Sequence, residues 1–249
     1  MAQTAQLVTQ LKSLKLSGAA DTLEHRIKEA EQNQLSYSEL LTMLLTDELD
    51  TRRNRKLQRL ILNANIQAQK TLEGFDFTFN RSIHAAQVRE LATCRFIEKA
   101  ENILFLGPTG TGKTHLAQAL AHSACRKHFT VAFYSFGDFF RTLQTADVTN
   151  KFEKLMKKIM KIDLLIIDDF AFKKINQTQA EYFYAIVDAR YNSKSFILTS
   201  NRALSDWTSV FPDPVIANAI MDRLAHNAHQ IIIKGESYRK KFSPVTNRS

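Results

Sequence analysis

The stretch Ile103-Leu104-Phe105-Leu106-Gly107-Pro108-Thr109-Gly110-Thr111-Gly112-Lys113-Thr114 decides the fold class. Four apolar residues run into a glycine-rich turn, and a helical pattern from Leu116 to Cys125 follows, so the order is strand, loop, helix. The loop satisfies the spacing glycine, four residues, glycine, lysine, then serine or threonine. Glycines let the backbone curl until successive N–H groups converge on an anion, and the opening helix adds its positive end. In such a loop Lys113 reaches the β- and γ-phosphates of a nucleoside triphosphate, and the Thr114 hydroxyl coordinates Mg²⁺. Gly107, Pro108, Thr109, Gly110, Thr111, Gly112, Lys113 and Thr114 are therefore the candidate phosphate-binding residues. His115, on the first helical turn, joins them as a structural neighbour.

Outward from the loop, the same grammar repeats. Short apolar runs at 131–134, 164–167, 196–198 and 231–233 alternate with helical stretches, which predicts parallel crossovers and an α/β sandwich. The run Leu164-Leu165-Ile166-Ile167 ends in Asp168-Asp169, at the strand terminus where sites of open α/β sheets lie. There Asp168 holds the magnesium, directly or through water, and Asp169 orients or deprotonates the attacking water. Phe196-Ile197-Leu198 ends in Thr199-Ser200-Asn201. An amide at the tip of a strand between the other two is placed to hydrogen-bond the γ-phosphate, although asparagine after a strand is also an ordinary turn former.

Residues 7–79 read as helical. Leu7, Leu11 and Leu14 share a face, with Gly18 as a stop, and Leu23, Ile27 and Ala30 continue a second helix. Ser36 and Glu39 form a capping box ahead of Leu40, Leu41, Leu44, Leu45 and Leu49. Gly74 with Phe75, Phe77 and Phe79 is expected to be a connector whose aromatics pack onto the next domain. The expected division is a helical domain at 1–70, a connector at 71–100 and an ATPase domain at 101–249.

The formal net charge is +9, and all of it arises beyond residue 80, because residues 1–80 carry ten basic and ten acidic side chains. A basic excess of this kind suits phosphate contacts with nucleic acid, and equally a solvated surface. Arg52, Arg53 and Arg55 lie in a basic run preceded by Asp47, Glu48 and Asp50, so DNA contact and a self-neutralised face are both open. Lys151, Lys154 and Lys158, with Lys157 and Lys161, alternate with apolar residues on an amphipathic helix whose basic face is either a DNA stripe or a solubilising surface. Two cysteines, Cys94 and Cys125, and no approach to the roughly 20 apolar residues of a membrane span lead us to expect a soluble cytoplasmic protein without secretion signal or disulfide framework. The seven histidines lack metal-ligand spacing.

Taken together, these motifs resemble the AAA+ ATPases. Within them the chain resembles the IstB-like transposition helper ATPases, relatives of DnaC-type helicase loaders. The resemblance rests on the leucine-rich front end, Thr71-Leu72-Glu73-Gly74-Phe75-Asp76-Phe77, the loop from Gly107 to His115 and Leu164 to Phe170. Thr199-Ser200-Asn201, Asp222-Arg223-Leu224 and the tail Gly235-Glu236-Ser237-Tyr238-Arg239 complete it. It implies that Asn201 is the first sensor and that Arg223 is an arginine finger completing a neighbouring subunit's site, hence a homo-oligomer. It also places Arg141, Lys173 and Lys174 toward bound DNA. Asp168-Asp169 stands where most AAA+ proteins have Asp-Glu, which implies slow turnover. Little chain remains after Leu224 for a helical lid, so the lid is expected to be absent, with Arg239 as a substitute for its sensor arginine.

The function implied is that of a bacterial ATP- and Mg²⁺-dependent AAA+ regulator of transposition. It would assemble on duplex DNA and recruit or activate the transposase of the same element. Two alternatives share the core: a replicative helicase loader, and a DNA-bending scaffold in which ATP is assembly glue with little turnover.

Overall fold

A computed structural model describes residues 2–238, which divide between Arg59 and Leu60 into two compact units. The division falls earlier than the expected boundary at 70. Residues after 60 are tied into the second unit: Ala64 is buried, and the Gln67 amide donates to Gln118 Oε1 at 2.9 Å. Arg239 and the residues after it lie outside the described part.

The first unit contains α1 (Ala2–Ser13), α2 (Ser17–Gln32) and most of α3 (Tyr37–Ala64). Ala19, Leu23 and Leu44 form its small core, flanked by Leu11, Leu16, Ile27 and Leu40. The leucine faces read from the sequence are only partly inward. Leu7, Leu14, Leu41, Leu45 and Leu49 are exposed, because one narrow stripe of each helix meets its neighbours. Gly18 is not a stop. The chain turns at Lys15, which has φ +59°, and Gly18 sits inside α2. Leu16 offers α2 no side-chain cap; Glu48 of α3 supplies one, accepting from the Gly18 and Ala19 amides at 2.6 and 3.2 Å. The capping box at Ser36 and Glu39 forms as read, with both reciprocal bonds present.

The second unit begins with the C-terminal end of α3, followed by α4 (Ala85–Ala92) and α5 (Arg95–Glu98), so the expected connector carries two helices of its own. Then come β1 (Asn102–Leu106), α6 (Lys113–Arg126), β2 (Val131–Ser135), α7 (Phe136–Val148), α8 (Phe152–Lys161) and β3 (Leu164–Asp168). They are followed by α9 (Gln177–Arg190), β4 (Ser195–Ser200), a 3₁₀ segment (Leu204–Val210), α10 (Pro214–Ala225) and β5 (Ala228–Ile232). The sheet order is β2-β3-β4-β1-β5 and every pairing is parallel. The fifth strand starts three residues before the apolar run that announced it, since Ala228, His229 and Gln230 lie on an edge strand and are not buried. β1, β3 and β4 are buried throughout, as continuous apolar runs in a two-sided sheet require. No helix among the described residues is long and apolar enough to cross a membrane.

Register sets the site. Leu106 lies opposite Ser200, and Ser135 opposite Asp168, so the loop after β1, the two aspartates after β3 and the residues after β4 emerge at one edge. An aromatic cluster backs that edge: Trp207 is fully buried, 4.5 Å from the Phe170 ring, as a packing anchor. Arg190 ties the layers behind it. Its buried guanidinium donates to the carbonyls of Ile159, Ile162 and Ser195, each at 2.8 Å, and stacks over Phe196 at 4.9 Å. Desolvation pulls its pKa down to about 10, still charged at neutral pH. Replacing Arg190 with leucine strands these carbonyls in the core and should cost roughly 3–5 kcal/mol, read as a lower urea midpoint. A change below about 0.5 kcal/mol, the range of ordinary surface substitutions, would show that the carbonyls find other donors.

Candidate nucleotide-binding site

The glycine-rich loop leaves β1 at Gly107, whose amide donates to the Ser200 carbonyl at 3.1 Å. Gly107 has φ +147°, and a Cβ there would fall 2.0 Å from the Ile233 carbonyl oxygen, so backbone passes where a side chain would stand. Gly112 has φ +100° and faces the Phe75 ring, 2.9 Å from where its Cβ would lie. Two walls of the loop thus come from residues far away in sequence.

Inside the loop, Lys113 is buried, and its ammonium donates to the Gly107 and Pro108 carbonyls at 2.7 Å each. The Thr114 hydroxyl donates to Asp168 Oδ1 at 2.9 Å. Asp168 also accepts from the Thr199 hydroxyl at 2.5 Å, and Thr199 Oγ1 in turn accepts the Asp169 amide at 3.0 Å. Asp169 sits in the left-handed region, φ +54°, and lines the adjoining cavity. Burial pushes the Asp168 carboxyl up, opposed by the hydrogen bonds from Thr199 and Thr114, while the neighbouring Asp169 charge adds to the rise. A buried carboxylate beside a threonine hydroxyl is a hard oxygen donor set, and it fits Mg²⁺.

These groups open onto a cavity of about 330 Å³, within the ordinary range of ligand pockets. Residues Thr109 to His115 and Asp169 line it together with Lys70, Phe75, Asp76, Phe79, Asn80 and Tyr238. The connector aromatics pack as expected. Phe75 meets His115 edge-on at 5.1 Å, and Phe79 meets Tyr238 at 4.8 Å. His115 lines the cavity and also holds the connector, with Nε2 2.9 Å from the Thr71 carbonyl.

Other expected residues lie apart. Asn201 follows β4 at the correct edge, between the loop and the aspartates, but is exposed and is not among the cavity-lining residues. Arg223 is not at this cavity. Its Nε donates to Asp188 at 2.9 Å, its Nη1 to the Ala219 carbonyl at 3.0 Å, and the guanidinium lies near the Tyr184 and Tyr191 rings. Within one chain it is an ion pair between α9 and α10.

The expected DNA residues separate into three places. Arg141, Lys151, Lys154 and Lys158 come together, with Lys157 and Lys161, along a groove of about 890 Å³ between α7 and α8. Lys173 and Lys174 are exposed on the loop after β3. Arg52, Arg53 and Arg55, in the first unit, have intramolecular partners in Glu48, Asp50 and Ser17 respectively.

Sequence reasoning missed Thr199 as the hydroxyl that fixes both aspartates, although a polar residue inside an apolar strand was a usable signal. It also missed Lys70, Asp76, Asn80 and Tyr238, whose distance in sequence from the loop hid them.

The family described as IstB-like ATP binding protein matches residues 9–245. A protein named as an ATP-binding protein of insertion sequence IS232 from Bacillus thuringiensis is 37% identical over 236 residues, 95% of this chain and 94% of that one. One named for insertion sequence IS21 in Pseudomonas aeruginosa is 38% identical, over 93% of this chain and 87% of that one. Among solved structures, the DnaC helicase loader superposes with a TM-score of 0.55 at 23% identity, covering 67% of this chain and 98% of that one. AMPPCP-bound DnaA from Aquifex aeolicus gives 0.58 at 22%, covering 69% of this chain and 52% of that one. The parallel five-stranded sheet carrying a phosphate loop is thus the AAA+ fold that the sequence led us to expect. The match begins at residue 9 and takes in the helical front end as well as the loop and its aspartates, and by it this chain belongs to the IstB-like ATP-binding proteins.

Proposed function

We propose that this protein is an ATP-hydrolysing, DNA-binding regulator of transposition that assembles on duplex DNA and recruits or activates the transposase of its insertion sequence. The observation that carries the reading is the phosphate loop joined to Asp168 and Asp169, in a chain whose relatives are named as ATP-binding proteins of insertion sequences. The family match extends through the helical front end, whereas the likeness to the DnaC loader covers two-thirds of the chain at an identity that speaks only for the fold. That asymmetry favours the transposition reading over the loader.

The chain's own groups have distinct tasks. The Lys113 ammonium already sits within the loop, where phosphate oxygens replace the Gly107 and Pro108 carbonyls as its acceptors. Thr114 and Asp168 would hold Mg²⁺, which would supply positive charge against the phosphates. Asp169, fixed through Thr199, orients the water that attacks the γ-phosphate, and Asn201 acts as a polar sensor at the neighbouring strand tip. Arg223 serves a second copy's site, which requires release from Asp188 or a position reached with that pair intact. The α7–α8 groove takes the DNA backbone: its lysines line it together with the aliphatic Ala146 and Leu155. Arg52, Arg53, Arg55, Lys173 and Lys174 are secondary contacts. Their partners in the first unit make Arg52 and Arg55 the weaker candidates.

Lys113→Ala should abolish binding of Mg·ATP in calorimetry while leaving the melting temperature nearly unchanged. Retained micromolar binding would remove the loop from the nucleotide site. Asp169→Asn should keep nucleotide affinity and lose at least about a hundredfold in hydrolysis rate, the usual range for general-base loss. Unchanged turnover would exclude Asp169 from positioning water.

Asp168→Asn keeps an oxygen that accepts from Thr114 and Thr199 but removes a buried charge. Without metal it should raise the melting temperature, by about 2–4 °C for each kcal/mol relieved, while Mg²⁺-dependent nucleotide binding disappears. A lower metal-free melting temperature would contradict this account of Asp168.

Replacing Lys151, Lys154 and Lys158 together by glutamine should weaken duplex binding equally for unrelated sequences. It should also flatten the logarithmic salt slope by roughly 0.9 for each phosphate no longer neutralised, with nucleotide binding intact. An unchanged slope would leave the groove a solvated surface.

A further inference from the structure

The connector between α3 and α4 is fastened to one face of α6. The Gln67 amide donates to Gln118 Oε1 at 2.9 Å, the Gln67 carbonyl lies 2.9 Å from His122 Nε2, and the Thr71 carbonyl lies 2.9 Å from His115 Nε2. His115, Gln118 and His122 recur at helical spacing, so α6, which opens with Lys113 and Thr114, also grips the chain on either side of Lys70. Lys70 is thereby held at the cavity, half-buried, and lines it together with Lys113, Thr114 and Asp169.

Among the described residues the Lys70 ammonium makes no hydrogen bond or ion pair. A half-buried lysine without a partner is unfavourable unless an anion answers it, because burial removes hydration and confinement removes rotamer freedom. Asp168 lies within reach of its field, and the Lys70 charge is one of the influences that hold the Asp168 carboxyl down against burial. Asp168 is already committed to Thr114 and Thr199, however, and among the described residues no hydrogen bond or ion pair joins either aspartate to the lysine. Lys70 lines the same cavity as Thr114 and Asp169, the groups read as standing at the outermost phosphate, and it is close enough to Asp168 for its charge to be felt there.

We propose that Lys70 is a second phosphate-binding cation of this site, supplied in cis by the connector and directed at the γ-phosphate. The proposal rests on the nucleotide reading of the cavity and deepens it. Lys113 meets the phosphates from within the loop, and Lys70 meets the terminal one from the connector. A cation there discriminates a triphosphate from a diphosphate, because only the triphosphate carries oxygens that far along the cavity. It also makes the position of the connector depend on which nucleotide is bound.

The test is equilibrium binding of mant-ATP and mant-ADP, each with Mg²⁺, to the full-length protein and to Lys70→Met and Lys70→Arg. Lys70→Met should weaken mant-ATP about tenfold and mant-ADP by less than about threefold, the loss expected of one charge-assisted contact. Lys70→Arg should restore most of the preference for the triphosphate, which a role resting on lysine's shape alone would not allow. The proposal is overturned if Lys70→Met binds both nucleotides as the unsubstituted protein does. It is equally overturned if both weaken by the same factor, or if the variant only lowers the nucleotide-free melting temperature. Failure of the unsubstituted protein to bind either nucleotide would overturn the site itself and Lys70 with it, whereas normal binding that Lys70→Met leaves untouched removes Lys70 alone.

Discussion

The site depends on one buried hydroxyl. Thr199 donates to the Asp168 carboxylate and accepts the Asp169 amide, so a side chain on β4 fixes the end of β3. This is possible only because β4 lies between β3 and β1 in the parallel sheet, where its tip stands between the aspartates and the glycine-rich loop. The adjacent Phe170 amide donates to the Thr199 carbonyl at 2.7 Å, and the Phe170 carbonyl accepts from the Ser200 hydroxyl at 2.7 Å. The left-handed turn at Asp169 is held on both sides by β4, and it places Asp169 at the cavity. Arg190 supports the same two strands from the opposite end, tying the chain that enters β3 to the start of β4. The left-handed backbone at Asp169 is thus carried by a framework closed at both ends.

Much of this was legible in the sequence because its signals are local. Ile103 to Thr114 contains strand, turn and helix start in twelve residues. Leu164 to Asp169 combines a fully apolar strand with a polar exit. What was not legible depends on distance or on the choice between equivalent faces. Lys70 reaches a loop that begins 37 residues later, through a connector path set by three side chains of α6. The five leucines of α3 fit one broad apolar stripe, but the packing uses only Leu40 and Leu44, because α1 and α2 cover a narrow sector. Gly18 looked like a stop because glycine often is one. In fact the helix it belongs to is capped by Glu48, thirty residues on, a contact that no window of neighbouring residues contains.

The distribution of charge separates two kinds of basic cluster that composition alone cannot tell apart. In the first unit, Arg26 pairs with Asp47 and Glu29, and Arg52 pairs with Glu48, so cations and anions balance and fasten helices. Along α8, Lys151, Lys154, Lys157, Lys158 and Lys161 have only Glu153 among them, and Arg141 of the facing helix is the next cation. Arg141 is itself paired with Asp138 at 3.2 Å, so the uncompensated charge belongs to the lysines. Their repulsion favours an anionic partner, which is the physical basis for proposing this groove as the DNA-backbone site.

The central claim is that nucleotide held by the loop and its two aspartates drives assembly on duplex DNA. Sedimentation velocity of the protein with a duplex, with and without Mg²⁺ and a non-hydrolysable ATP analogue, measures this directly. The account predicts a large protein–DNA species that appears only with the nucleotide and disperses when it is removed. The same large species forming without nucleotide, or only single protomers bound to DNA in its presence, would contradict it.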